Sequence, residues 1–263
     1  MVLPGITKEQ MEEVDRLMIE KYHIPVELMM EHAGINLARL VCQLTTSGSS
    51  QRVFHVIAGS GNNGGGGLVA ARRLHSWGLK TDVFLPKGHI NLSGIPTKQL
   101  NRVQKMGVKI FQELPTSSST REEDSVVLDC YIGYGFSRRS DKISEGVFEY
   151  LRGHKNVISL DTPSGLDVTT GDDVSKIQPQ ATLTIAFVKE GLLRVPQEAI
   201  GKLYIVDIGV PTRVYRSEMG INWSQPFDIS YLDTLEKAFQ ENPIQKVLIN
   251  QEPNQGDSFW KIG

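Results

Sequence analysis

Near the start of the chain the apolar positions fall three or four apart. Met11, Val14, Leu17 and Met18 share one face of residues 7–21, which predicts an amphipathic helix. Thr7, with Gln10 three residues on, has the form of a capping box at its start. Pro25 opens a second helix through Leu28, Met29, Ala33, Ile35, Leu37, Leu40 and Val41. It is apolar on more than one side and so should be well buried, and His32 on it reads as a hydrogen-bonded core residue. After a turn at residues 47–50 the period changes. Residues 53–57 form a short run rich in β-branched side chains, the mark of a buried strand. A glycine cluster follows at 59–67, and helical spacing resumes over 68–77 until Gly78. Further strands are predicted at 81–85, 108–111, 125–129, 157–161, 181–187 and 203–206, with helices at 98–105 and 143–151 and a polar connection at 117–120.

Strands alternating with helices mean βαβ units and a mostly parallel sheet, an α/β protein. The 263 residues are ample to bury a core without a disulfide or metal staple. Residues 1–225 read as one domain and 226–263 as a C-terminal tail, partly helical at 230–240 and loose from 250 onward. A net charge of −2, with no basic stripe, argues against nucleic acid as a partner. Cys42 and Cys130 show no CxxC spacing, which argues against zinc or a disulfide framework and fits a reducing compartment. No apolar run approaches the ~18 residues of a membrane span, and residues 1–5 lack the plan of a signal peptide. The expected setting is the cytoplasm, with an organelle matrix left open.

In an open parallel sheet, ligands bind beyond the carboxyl ends of the strands. Behind the first strand lie six glycines in nine positions, 59–67, together with Asn62 and Asn63. A strand, a glycine loop able to take positive φ, and a helix start together make a phosphate site. It is not a Walker A loop, since no Lys-Ser or Lys-Thr follows the last glycine. The next strand ends Phe84-Leu85-Pro86 without an acid, which disfavours dinucleotide binding in the dehydrogenase manner. Two other strands end in carboxylates, Asp129 before Gly133 and Gly135, and Asp161 before Pro163-Ser164-Gly165. Both should face the same crevice. The oxygens of Asn63, Asp129 and Ser164 would suit a hard cation such as K⁺, Na⁺ or Mg²⁺. Ser164 lacks a Gly-x-Ser-x-Gly elbow and a histidine base, which disfavours a hydrolase. Lys189, just past a strand, is placed to meet a phosphate or a catalytic proton, or else simply solvent.

These motifs, in this order, resemble the YjeF N-terminal domain family of NAD(P)H-hydrate epimerases. The resemblance rests on Leu28-Met29 with Ala33-Gly34, on Gly61-Asn62-Asn63-Gly64-Gly65, on Asp129 with Gly133 and Gly135, and on Asp161-Thr162-Pro163-Ser164-Gly165. Phe187-Val188-Lys189-Glu190-Gly191 and Asp207-Ile208-Gly209-Val210-Pro211 complete it. It implies a Rossmann-like three-layer αβα sandwich, a homodimer, and interconversion of the S and R forms of NADH or NADPH hydrated on the nicotinamide ring. A separate dehydratase would then restore the cofactor. By the family pattern Asn62, Asn63, Gly64, Gly65 and Gly66, with Gly133, Tyr134, Gly135, Phe136, Ser137, Arg138 and Arg139, would contact the phosphates and sugar. Asn63, Asp129 and Ser164 would hold one potassium ion per subunit. Asp161 would stand at the reacting ring as acid and base, with Lys189 as its partner. Two positions depart from the pattern. Gly66 stands where the family loop carries Asp, and Tyr134 replaces a usually small residue and should narrow the crevice. Gly66 is the basis of the alternative reading, a catalytically degenerate member acting as a nucleotide-binding or protein-interaction module.

Overall fold

The computed structural model describes residues 5–45, 52–88, 91–115, 125–137, 141–221, 244–250 and 259–262. The strands run β1 Val53–Ala58, β2 Lys80–Phe84, β3 Lys109–Phe111, β4 Ser125–Cys130, β5 Val157–Leu160, β6 Ala181–Ile185 and β7 Lys202–Val206, then β8 Ile244–Asn250 and β9 Phe259–Ile262. They form one sheet in the order β3-β2-β1-β4-β5-β6-β7-β8-β9, parallel from β3 through β7. β1 and β4 are buried at every position, as strands covered on both faces must be. The helices are α1 Lys8–Arg16, α2 Val26–Thr45, α3 Asn62–Ser76, α4 Gly94–Lys105, α5 Lys142–Arg152 and the short α6 Glu190–Arg194. The larger core cluster joins α1 to α4 to one side of the sheet. A second cluster packs Val147, Phe148 and Leu151 of α5 with Ile57, Val127 and Val157. Layers on both faces give the expected Rossmann-like sandwich.

The start of the chain folds as its pattern predicts. The Thr7 hydroxyl accepts from the Gln10 amide at 3.3 Å, and the Thr7 amide donates to the Gln10 side chain at 2.8 Å. The helix then widens into a π-turn at Leu17–Lys21. His32 differs from expectation, because it sits on the exposed side of α2. The tail differs too. In place of a loose end, β8 pairs antiparallel with β7, and β9 with β8. The pairing of β8 with β7 is long-range, Tyr204 against Lys246, while β8 and β9 pair as neighbours in sequence. The turn at 47–50, the connection at 117–120 and the tail helix at 230–240 lie outside the described residues.

The glycine cluster is the main surprise. It is not a loop. Helix α3 begins at Asn62 with Gly61 as its N-cap, and none of the six glycines has a positive φ. The glycines are there for contact. A Cβ on Gly64 would stand 1.9 Å from the Gly59 carbonyl oxygen, and one on Gly67 would stand 2.5 Å from Cys130 Cβ. On the facing helix a Cβ on Gly34 would come within 2.6 Å of the Gly66 oxygen. With no side chains between them, α2, α3 and the sheet approach more closely than any other residue allows.

Candidate active site

Connections from β1 run toward β2 and β3, and those from β4 run the other way toward β7, so the order reverses between β1 and β4. Crevices form at such switch points. A cavity of about 440 Å³ opens here. Its walls come from the β1–α3 turn, the turn after β4, the end of β5, and one side each of α1 and α2. Ser60, Gly61, Asn62 and Asn63 bring the N-terminal turn of α3 to the cavity, where unpaired amides and the helix dipole favour an anion.

Asp161 and Lys189 form the chemical centre. Asp161 is 3 % exposed and Lys189 0 %. The Lys189 ammonium donates to Asp161 Oδ1 at 2.5 Å, to the Ile185 carbonyl at 2.7 Å and to Thr184 Oγ1 at 3.2 Å. Asp161 Oδ2 accepts the Tyr134 amide at 2.7 Å. Two non-glycine residues hold left-handed backbone here, Asp161 at φ 69° and Ala186 at φ 62°. Such conformations cost ~1–3 kcal/mol each and gather at functional sites. At Asp161 the amide stays bonded to the Leu183 carbonyl at 2.7 Å.

Asp129 lies deeper and is wholly buried. Its Oδ1 accepts the Ser164 hydroxyl at 2.5 Å, and its Oδ2 accepts the Ser164 amide at 2.9 Å and the Ser159 hydroxyl at 3.0 Å. All these partners are neutral. Burial pushes the Asp129 carboxyl above its ordinary value, and the hydrogen bonds from Ser164 and Ser159 oppose that. The Asn63 amide, turned to satisfy both its ends, donates to the Leu160 carbonyl and accepts the Gly133 amide, each at 3.3 Å. A Cβ on Gly133 would lie 2.8 Å from Asp161 Oδ2 and 3.1 Å from Asn63 Cγ, so only glycine lets these side chains and the turn meet.

Of the residues predicted from sequence, Asn62, Asn63, Gly66, Gly133, Tyr134, Gly135, Asp161 and Lys189 line one cavity. Gly64 and Gly65 face inward, against the Gly59 backbone and Met30. Asp129 and Ser164 sit behind the cavity floor, joined to it through Ile132, whose amide donates to Ser164 Oγ at 2.9 Å. Phe136 and Ser137 border a different recess with Lys8, Asp167 and Thr169. Arg138 and Arg139 lie outside the described residues. Among the described residues no three His, Cys, Asp or Glu side chains gather as a metal cluster, and no helix is long and apolar enough to cross a membrane.

Three charged wall residues, Glu12, Asp15 and Lys87, escape the sequence reading. Lys87 borders the cavity and pairs with Asp141 at 3.0 Å. Asp15 borders it from α1, and its Oδ2 accepts the Tyr134 hydroxyl at 2.5 Å. Burial pushes the Asp15 carboxyl up, while the Tyr134 hydrogen bond and the nearby Lys189 charge pull it down. Burial also raises the Tyr134 phenol, and the charge of Asp15 adds to that. A signal for Asp15 does exist. Positions 11, 14, 15 and 18 share one helix face, and Asp15 is the acid in an otherwise apolar stripe.

A doubly wound sheet, a helix N-terminus at its switch point and a buried Lys–Asp pair in the crevice define a Rossmann-like α/β protein with a polar cavity at the switch point. Residues 26–191, more than half of the chain, match the model of the YjeF-related protein N-terminus. The chain belongs to that family. It is 36 % identical over 237 residues to an NAD(P)H-hydrate epimerase of Dehalogenimonas lykanthroporepellens, covering 89 % of this chain and 94 % of that protein. It is 37 % identical over 205 residues to a bifunctional NAD(P)H-hydrate repair enzyme of Thermofilum pendens, covering 75 % of this chain and 38 % of that longer protein. The crystal structure of the yeast protein ynu0 superposes with a TM-score of 0.74 at 22 % identity, over 93 % of this chain and 100 % of that one, which shows the fold.

Proposed function

We propose that this chain is an isomerase that interconverts the S and R forms of hydrated NADH and NADPH. The observation that carries the reading is the buried Lys189–Asp161 pair opening on the cavity beside the N-terminus of α3. Relatives named for this activity match nearly the whole chain. The hydrate is a hemiaminal. Its hydroxyl leaves as water when a proton reaches the oxygen, and the ring nitrogen supplies the electron pair for a planar iminium. Water then adds to the ring, and its proton returns to the protein. Asp161 is placed to carry that proton, with Lys189 holding the charge beside it, and such assistance is worth ~10²–10⁴-fold. The amide end of α3 and Lys87 are suited to the phosphates.

The oxygen-bearing side chains at and behind the cavity floor are of the kind that holds potassium. Asp129 is buried with only neutral partners, and a lone buried carboxylate calls for a compensating cation. Asn63, Asp129 and Ser164 supply oxygen only, the choice of a hard ion. Potassium bound there would neutralise Asp129 and brace the two turns that shape the cavity. Its test is a melt, in which potassium raises Tm for the native chain but not for Asp129→Asn. By family resemblance we place the protein in the cytoplasm as a homodimer, working beside a dehydratase.

The deciding experiment mixes S and R hydrates of NADH away from equilibrium and follows their ratio by chromatography. Equilibration well above the spontaneous rate supports the reading, and no acceleration overturns it. Gly66 favours the second reading, a nucleotide-binding or protein-interaction module. Activity that appears only in Gly66→Asp would establish that one.

A further inference from the structure

Interconversion at a flat iminium poses a geometric problem. The hydroxyl must leave one face of the ring and water must arrive on the other. Asp161, fixed by Lys189 on one oxygen and by the Tyr134 amide on the other, is held to a single side. The cavity wall carries two further carboxylates that the reaction as described above leaves unused, Glu12, which is exposed, and Asp15, which is partly buried.

Tyr134 relates Asp15 to Asp161. Its backbone amide donates to Asp161 Oδ2 at 2.7 Å, and its hydroxyl donates to Asp15 Oδ2 at 2.5 Å. The carboxylates therefore stand at opposite ends of one tyrosine, on walls built by different elements. Asp15 comes from α1 and Asp161 from the end of β5. Both line the same cavity. Besides Tyr134, the charged groups that act on Asp15 are Lys189, Asp161 and Glu12.

Resting on the epimerase reading, we propose that Asp15, oriented by Tyr134, is the acid–base group for the ring face opposite the one served by Asp161. The balance is simple. In one direction the carboxyl on the first face gives a proton to the C6 hydroxyl, the C–O bond breaks, water departs and the nitrogen pair forms the C=N bond. Water then adds to the second face, the C=N pair returns to nitrogen, and the surplus proton passes to the carboxylate there. The reverse reaction exchanges the two roles. No oxidant or further reactant is needed. A single mobile carboxylate would have to reach both faces, which the three bonds holding the Lys189 ammonium and the Tyr134 amide on Asp161 oppose.

The test uses hydrates labelled with ¹⁸O at the C6 hydroxyl, the native chain, and the variants Asp15→Asn and Tyr134→Phe. Two quantities are followed for each epimer, inversion and loss of label to solvent. The native chain should do both for both epimers. Asp15→Asn should lose inversion by about 10²-fold or more, the usual scale for one acid–base group. It should still release label from one epimer within a few-fold of the native rate, because Asp161 can expel water and return it on its own face. Tyr134→Phe keeps the carboxylate but frees it. It should retain part of the inversion and move one limb of the pH–rate profile to higher pH, since a donor to the charged carboxylate is gone. Inversion by Asp15→Asn within about threefold of native overturns the proposal. So does an equal loss of inversion and of label release from both epimers, which marks a structural role. A native chain that does not accelerate inversion at all sinks the epimerase reading and this proposal with it, an outcome distinct from the other two.

Discussion

Replacing Lys189 with Met tests the centre of the site through stability, with no substrate present. The Met side chain keeps the unbranched shape and discards the charge. Three hydrogen bonds go with the ammonium, to Asp161, Thr184 and the Ile185 carbonyl. Asp161 is left as a buried carboxylate with the Tyr134 amide on its other oxygen. Breaking a buried ion pair from one side costs ~3–5 kcal/mol, chiefly for the stranded charge. Asp161 borders the cavity, where water reaches it, so the lower end applies, about 3 kcal/mol. At roughly 2–4 °C per kcal/mol for a domain of this size, Tm should fall by about 6–12 °C. Adding Asp161→Asn removes the stranded charge, and Asn tolerates left-handed backbone as well as Asp does. The double variant should therefore regain at least half of the loss while remaining inactive. Thermal melts followed by circular dichroism, at one protein concentration, measure all three chains. A fall under about 2 °C for Lys189→Met, or a double variant no more stable than the single one, would refute the account of the pair as a mutually dependent buried unit.

Asp15 has a pH signature. Because burial raises its carboxyl in the folded state, its contribution to stability is present below the unfolded value and lost as pH rises through the folded one. Asp15→Asn should thus melt above the native chain at pH 8 and no higher at pH 3.5. Equal melting at both values would contradict this. Lys87 and Lys189 are the cations among the described residues that line the cavity, and Lys189 is committed to Asp161. Lys87→Met should raise KM several-fold with little change in kcat, and should flatten the salt dependence of KM in initial-rate assays. Gly64→Ala and Gly66→Ala should separate sharply in urea unfolding. The first drives a Cβ to 1.9 Å from backbone oxygen and should cost more than ~3 kcal/mol. The second meets only Leu160 Cδ2, at 2.8 Å, which can swing aside, so it should stay within ~1 kcal/mol of native.

Local pattern was enough for the sheet's interior and for the first helix. Val53 to Ala58 and Ser125 to Cys130 are apolar runs that no solvent-facing strand would carry, and the Thr7–Gln10 box is written in two residues. What required distant partners stayed hidden. The glycines of α3 read as a loop because glycine is a poor helix former, and only the facing Gly34, Met30 and Cys130 show why a helix needs them. β8 is a strand by virtue of its pairing with β7, and β9 by its pairing with β8. At the site, Asp161 followed from its place at a strand end. For Lys189 the sequence fits solvent and chemistry equally, and what distinguishes them is the enclosure of its ammonium by Asp161, Thr184 and the Ile185 carbonyl. Asp15 lay in plain view on an apolar stripe, yet a single acid there means little until the wall opposite it is known.

The bare helix start at Gly64 to Gly67 bears on what binding must spend. Each glycine in a helix forgoes ~0.8–1.0 kcal/mol against alanine, so the four together weaken folding by about 3–4 kcal/mol. In return they lock the end of α3 against the sheet and α2 before any ligand arrives. A phosphate that docks there finds its amides already aimed, and little chain freedom remains to be lost on association. The ordering cost of the site falls on the folding of the chain, which happens once, rather than on each encounter with a nucleotide.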